Sequence, residues 1–145
     1  MTLSILDPVG LAYIAGFFDG EGSIVITSRG HGRLDLDVVV VNTDRDVVEM
    51  IRATFGTGNI YRRSRAGSLG KKPAFVLQWA GKRAEEVLRL LYPYLRIKKG
   101  KAEIALRFRE TFTRRHCGAG LPESVQRDRE ALRAEISERH RPTTA

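Results

Sequence analysis

The segment Leu11-Ala12-Tyr13-Ile14-Ala15-Gly16-Phe17-Phe18-Asp19-Gly20-Glu21-Gly22 is an apolar run of helix length that ends in two carboxylates separated and followed by glycines. Acidic groups are unfavourable at a helix C-terminus, where the dipole already presents negative charge, so Asp19 and Glu21 demand a compensating cation. Basic side chains or a hard metal ion would supply it, and carboxylate and carbonyl oxygens suit magnesium or calcium. Ala15 and Gly16 interrupt the bulky residues, although glycine in a helix costs about 1 kcal/mol relative to alanine. A small-residue stripe of this kind lets two helices touch, and a two-fold axis would bring two acidic ends side by side. The spacing alone is equally compatible with a buried helix whose acids cap a turn.

Downstream the hydrophobic period changes from that of a helix to alternation. Asp7 and Pro8 open the first helix, which is expected to run to about Asp19. Ser23–Arg29 and Arg33–Asn42 read as strands joined across Gly30-His31-Gly32. Thr43 and Asp44 cap a helix to about Phe55, with Val47, Val48, Ile51 and Phe55 on one stripe and Gly56 ending it. Asn59–Arg65 and Pro73–Trp79 form a second strand pair around a basic loop. A helix over 82–92 follows, with Ala84, Val87, Leu88 and Leu91 inward, ended or kinked by Pro93. Further helices are expected over 101–115, with Ile104, Ala105, Phe108 and Phe112 inward, and from Pro122 to about His140. In the last, Glu123–Arg127 and Glu135–Arg139 fall at i,i+4 spacing, and Val125, Leu132 and Ile136 offer a thin apolar face.

This order, αββαββα with extra C-terminal helices, predicts an α+β domain: one antiparallel four-stranded sheet per subunit, helices on one face and the other face open. A single domain over residues 1–140 is expected, with its core at about 8–115, a helical extension at about 116–140 and a disordered tail at 141–145.

A chain of 145 residues with 42% hydrophobic content can bury a core and contains no bilayer-spanning apolar run. Met1-Thr2-Leu3-Ser4 lacks the basic start of a signal peptide, and the single Cys117 forms no internal disulfide, so an intracellular location is expected: bacterial or archaeal cytoplasm, or an organelle. A structural zinc site needs four ligands, against one cysteine and three scattered histidines here. The net charge of +8 and pI near 10.1 favour a polyanionic partner, a bulk property shared with ribosomal and membrane-surface proteins.

Alternation names a candidate interface. With Ile24 and Ile26 in the core, Val25, Thr27 and Arg29 face outward. Arg33, Asp35, Asp37 and Val39 join them, then Tyr61, Arg63 and Arg65, with Lys72, Ala74, Val76 and Gln78 beside them. An open sheet bearing arginines can enter a major groove, where arginine grips guanine and aspartate accepts from cytosine. An ordinary solvated sheet face has the same pattern.

Residues Ile14 to Gly22, followed by a strand from Ser23, closely resemble the nine-residue signature of the LAGLIDADG homing endonucleases, and the element order extends the likeness over about residues 8 to 115. Glu21 stands where aspartate is usual. One copy of the signature implies a homodimer, with Tyr13, Ala15, Gly16 and Asp19 at its interface.

The resemblance also implies an activity: cleavage of both strands of a long pseudo-palindromic double-stranded DNA target by metal-dependent phosphodiester hydrolysis, in the manner of a mobile-intron nuclease. Glu21 and the Gly20 carbonyl would hold magnesium, for which manganese or calcium can substitute in binding. Asn42 matches loosely the polar position that orients the nucleophilic water in this family; a strand-end asparagine serving local backbone fits the residue equally. The stretch Tyr94 to Ala102 resembles a segment whose lysine approaches the active site, and Lys98 is the candidate. Two alternatives stay within the same fold, an RNA maturase acting on intron RNA and a non-catalytic DNA-binding regulator. No membrane partner is expected.

Overall fold

The computed structural model describes residues 6–64, 72–112 and 120–139. Its first helix, α1 (Pro8–Glu21), starts where the Asp7 carboxylate accepts a hydrogen bond from the Gly10 N–H at 2.7 Å, with Pro8 in the first turn. The helix runs two residues past the end expected at Asp19, so both acids belong to its last turn. Gly22 ends it, donating its N–H to the Phe18 carbonyl. No larger residue fits there, because a Cβ on Gly22 would run into the Phe18 ring.

Strands β1 (Gly22–Ser28) and β2 (Leu34–Asn42) form a hairpin whose tip holds Gly30, His31 and Gly32 in the left-handed region, at φ 84°, 53° and 73°. Helix α2 (Arg45–Phe55) is capped by Asp44 and ended by Gly56 at φ 70°. Then come β3 (Asn59–Arg63), β4 (Ala74–Ala80) and α3 (Gly81–Leu91). A 3-10 turn (Tyr92–Tyr94) leads into α4 (Lys99–Glu110), and α5 (Glu123–Glu138) ends the described chain. The expected strand to Arg65 stops at Arg63, and the segment expected from Lys101 begins at Lys99. Arg65, His116, Cys117 and the tail at 141–145 lie outside the described residues.

The four strands make one antiparallel sheet in the order β1-β2-β4-β3. Its core face carries Ile24, Ile26, Leu36, Val38, Val40, Leu77 and Trp79, each at most 5% exposed, beneath the helices. The α+β architecture expected from the sequence is therefore present, with Ala84, Val87, Leu88 and Leu91 all buried on α3. Trp79 fixes one corner: its indole donates to the Thr57 carbonyl at 2.9 Å and meets Phe55 edge-on at 5.6 Å.

Helix α5 docks on α4 and β1 through Ile136, 4% exposed. Its charges differ from the local pairing that spacing suggests. Glu135 bonds Arg107 of α4 at 3.0 Å instead of Arg139, and no Glu123–Arg127 pair forms among the described residues. Arg129 is buried, donating to the Thr111 hydroxyl at 2.8 Å and the Thr111 carbonyl at 3.1 Å while stacking 3.8 Å above Phe112. A tertiary partner at the end of α4 is the better one for a cation, since carbonyls there lack intrahelical donors.

Candidate active site and nucleic-acid interface

At the C-terminal end of α1 the two carboxylates have separate surroundings. Asp19 is 9% exposed, and its oxygens accept the main-chain N–H groups of Arg96 and Lys98, both at 2.9 Å. The Lys98 ammonium in turn donates to the Asp19 carbonyl at 2.5 Å. The cation demanded by an acidic helix end is thus supplied from the turn before α4. Glu21, by contrast, is exposed and has no partner among the described residues. Its carboxylate and the adjacent Gly20 carbonyl, in the last turn where carbonyls lack intrahelical donors, form a pair of hard oxygen donors. That donor set fits magnesium or calcium. No group of three or more His, Cys, Asp or Glu that could hold a metal ion is found among the described residues.

Asn42 lies close to this end by register: Gly22 pairs with Val40, two residues before it. Its Oδ1 accepts the Asp44 N–H at 2.8 Å, the local role, while its Nδ2 has no partner among the described residues. Lys98 also lines a groove of about 680 Å³ that runs from Gly20 along β1 to α5. Lys101, Arg133 and Arg139 line the same groove, and no acid does among the described residues. Burial first, and then the Lys98 charge, push the Lys101 ammonium below its ordinary value. Arg133 and Arg139 were not foreseeable here, because α5 has no pattern linking it to the signature helix. Only its docking brings them in.

The open face of the sheet carries Val25, Thr27, Asp35, Asp37, Val39, Tyr61, Arg63 and Gln78. Arg29 and Arg33 sit at its hairpin end and Lys72 precedes β4, all three exposed. Ala74 and Val76 share this face by register but are buried on the inner strand β4. Asp37 is the hub. Its Oδ1 accepts Arg29 Nη2 at 2.6 Å and Gln78 Nε2 at 3.1 Å, and its Oδ2 accepts the Thr27 hydroxyl at 2.6 Å. Tyr61 donates its hydroxyl to Gln78 Oε1 at 3.4 Å. Burial pushes the Asp37 carboxyl up, but the bonds from Arg29, Thr27 and Gln78 outweigh it and hold the group below its ordinary value. Asp35 is turned away to α4, where Arg109 Nη1 holds it at 3.1 Å.

On α1, Tyr13 is 59% exposed and Gly16 has open space around it. Ala15 and Asp19 face inward, Ala15 with no exposure at all. Val9, Ala12 and Gly20 share the open side of the helix with Tyr13 and Gly16.

The family profile described as LAGLIDADG endonuclease matches residues 14–102. Among solved structures, the homing endonuclease I-CvuI in complex with its target in the presence of calcium is similar with TM-score 0.75 and 19% identity, over 98% of this chain and 87% of that one. The archaeal intron-encoded homing endonuclease I-Vdi141I complexed with DNA is similar with TM-score 0.72 and 20% identity, over 92% and 85%. The LAGLIDADG homing endonuclease I-GzeII in complex with its DNA target gives TM-score 0.68 and 19% identity, over 86% of this chain but 43% of that one. At such identities the likeness establishes the fold. No curated protein matches the chain. By its matched segment, which covers most of the chain, this protein belongs to the LAGLIDADG endonuclease family.

Proposed function

We propose that the chain is a homodimeric, divalent-metal-dependent endonuclease that cuts both strands of double-stranded DNA at a long pseudo-palindromic site. The observation that carries this is the contrast at the end of α1: Asp19 is fully engaged by the turn at 96–98, while Glu21 beside it is exposed and unpartnered among the described residues. A buried carboxylate bonded to two N–H groups acts as a structural brace, whereas a free one adjoining a carbonyl is available as a ligand.

Support for the dimer comes from Gly16 and Gly20. Neither has a positive φ, and a Cβ added at either would meet no atom of the described residues beyond its own helix backbone within 4 Å, so none of them requires glycine there. Each weakens the helix by about 1 kcal/mol relative to alanine, which fits close approach by a second α1 from outside. The chain's span of under half of I-GzeII agrees with a molecule needing two copies.

In this reading Glu21 and the Gly20 carbonyl of each subunit hold the metal ion beside a scissile phosphate. The bound ion supplies Lewis-acid stabilisation of charge on the attacking and leaving oxygens. Lys98, fixed by the Asp19 carbonyl, presents its positive charge to the phosphate, and the free amide nitrogen of Asn42 orients water. Lys101, Arg133 and Arg139 attract the flanking backbone, and the open sheet face reads bases in the major groove. Duplexes selected by the protein from a randomised pool, then incubated with magnesium, test the reading: cuts on both strands are expected, and selected duplexes that stay intact would overturn it.

A further inference from the structure

The hub on the open sheet face assigns separate roles to two residues that alternation had placed side by side as base contacts. Asp37 has a side chain only 5% exposed, and three donors already occupy its oxygens. A carboxylate in that state has no edge to offer a cytosine amine. Arg29 is the opposite case: its side chain is 37% exposed and only Nη2 is bonded to Asp37, at 2.6 Å. Among the described residues the other guanidinium donors of this exposed side chain keep no partner, and two adjacent arginine donors match guanine O6 and N7.

An unsupported arginine loses much of its side-chain freedom on gripping a base, and that loss opposes binding. Bonding one edge to a buried, immobile carboxylate removes part of that loss beforehand. The same Oδ1 also takes Gln78 Nε2, and Gln78 Oε1 takes the Tyr61 hydroxyl, so one hydrogen-bonded chain links all four strands of the sheet. A shift of any member moves the others.

Resting on the endonuclease reading above, we infer that Arg29 is a guanine reader in each half-site and that Asp37 is its positioning residue, coupling the guanine preference to Gln78 and Tyr61. The register also sets where that guanine lies. Asp37 pairs with Val25, four residues beyond Glu21, and Thr27 lies six beyond it. At ~3.3 Å per strand residue the cluster stands about 13–20 Å from Glu21, or roughly 4–6 base pairs.

The test is selection from randomised duplexes by the full chain and its Arg29→Ala, Asp37→Ala, Asp37→Asn and Gln78→Ala variants, read by sequencing the bound pool. The wild type is expected to prefer guanine roughly 5- to 150-fold at one position per half-site, about 4–6 base pairs from the cut. Arg29→Ala and Asp37→Ala should both abolish that preference, Asp37→Asn should reduce it, and Gln78→Ala should weaken it without changing Arg29. The profile is a ratio within the bound pool, so a smaller folded fraction does not alter it. A guanine preference that stays at the wild-type level in Asp37→Ala and Asp37→Asn, or one that Arg29→Ala leaves untouched, would overturn the inference. A wild type that retains no duplex at all would overturn the endonuclease reading and this one with it.

Discussion

Lys98 and Asp19, 79 positions apart in sequence, are joined twice: the Lys98 N–H donates to an Asp19 carboxylate oxygen at 2.9 Å, and its ammonium to the Asp19 carbonyl at 2.5 Å. The signature helix and the turn before α4 are thereby one unit. Replacing Asp19 by alanine would leave the Arg96 and Lys98 N–H groups without acceptors. Each bond to a charged group contributes about 1.5–3 kcal/mol, so Asp19→Ala should lose ~3–5 kcal/mol, seen as a lowered chemical-denaturation midpoint. Asp19→Asn, which keeps one acceptor oxygen, should lose about half as much. Equal midpoints for wild type and Asp19→Ala would contradict this brace.

The open stripe of α1 gives a prediction with opposite signs for folding and association. A side chain begun at Gly16 meets no atom of the described residues beyond its own helix backbone within 4 Å of its Cβ, and Gly16→Leu improves helix propensity by up to about 1 kcal/mol. The variant should therefore be as stable as the wild type or more so when dilute, yet sediment as a monomer where the wild type sediments as a dimer. A Gly16→Leu protein that still dimerises with wild-type affinity would refute the close helix contact.

Asp37 makes stability depend on acid. Its folded pKa is depressed, so its contribution is fully present above the ordinary carboxylate pKa and is lost as pH falls through the folded value. Thermal denaturation of wild type and Asp37→Asn should differ most near neutrality and begin to converge only as pH falls below about 4. A gap that widens on acidification would show that the Arg29, Thr27 and Gln78 bonds do not stabilise the ionised form.

Helix α5 docks on α4 and β1, and Arg129 is a polar anchor of that docking that can be removed singly. Arg129→Met keeps an unbranched apolar stem over Phe112 but drops both bonds to Thr111. We expect a loss of roughly 1–3 kcal/mol concentrated in α5, measured as faster amide hydrogen exchange over 123–138 than over β1 and β2. Uniform acceleration through the whole chain would instead make α5 inseparable from the core.

Alternation in β2 and the 3.6-residue stripe of α3 made most of the fold legible, because each buries one regular face. The signature helix was legible for the same reason in reverse: its glycines and late acids break local rules, and such breaks mark sites. What stayed hidden was decided by partners distant in sequence. Alternation put Asp37 outside, correctly for its face, but could not show that Arg29, Thr27 and Gln78 converge to bury it. Glu135 was matched to Arg139 by spacing, yet Arg107 on another helix takes it. Ala15 and Gly16 looked like one small-residue patch, and spacing could not show that Ala15 is buried within the chain while Gly16 is open. Arg133 and Arg139 reach the groove beside Gly20 only because α5 packs on α4.

The proposed activity turns on Glu21, exposed beside the buried Asp19, as the metal ligand for phosphodiester cleavage. The decisive experiment is single-turnover cleavage and equilibrium binding of a selected duplex by Glu21→Gln, an isosteric change that removes the charge. Cleavage in magnesium is expected to fall by at least about 100-fold, the scale of removing one strong electrostatic contributor, with duplex affinity within a few-fold of wild type. Cleavage by purified Glu21→Gln at the wild-type rate would contradict the assignment.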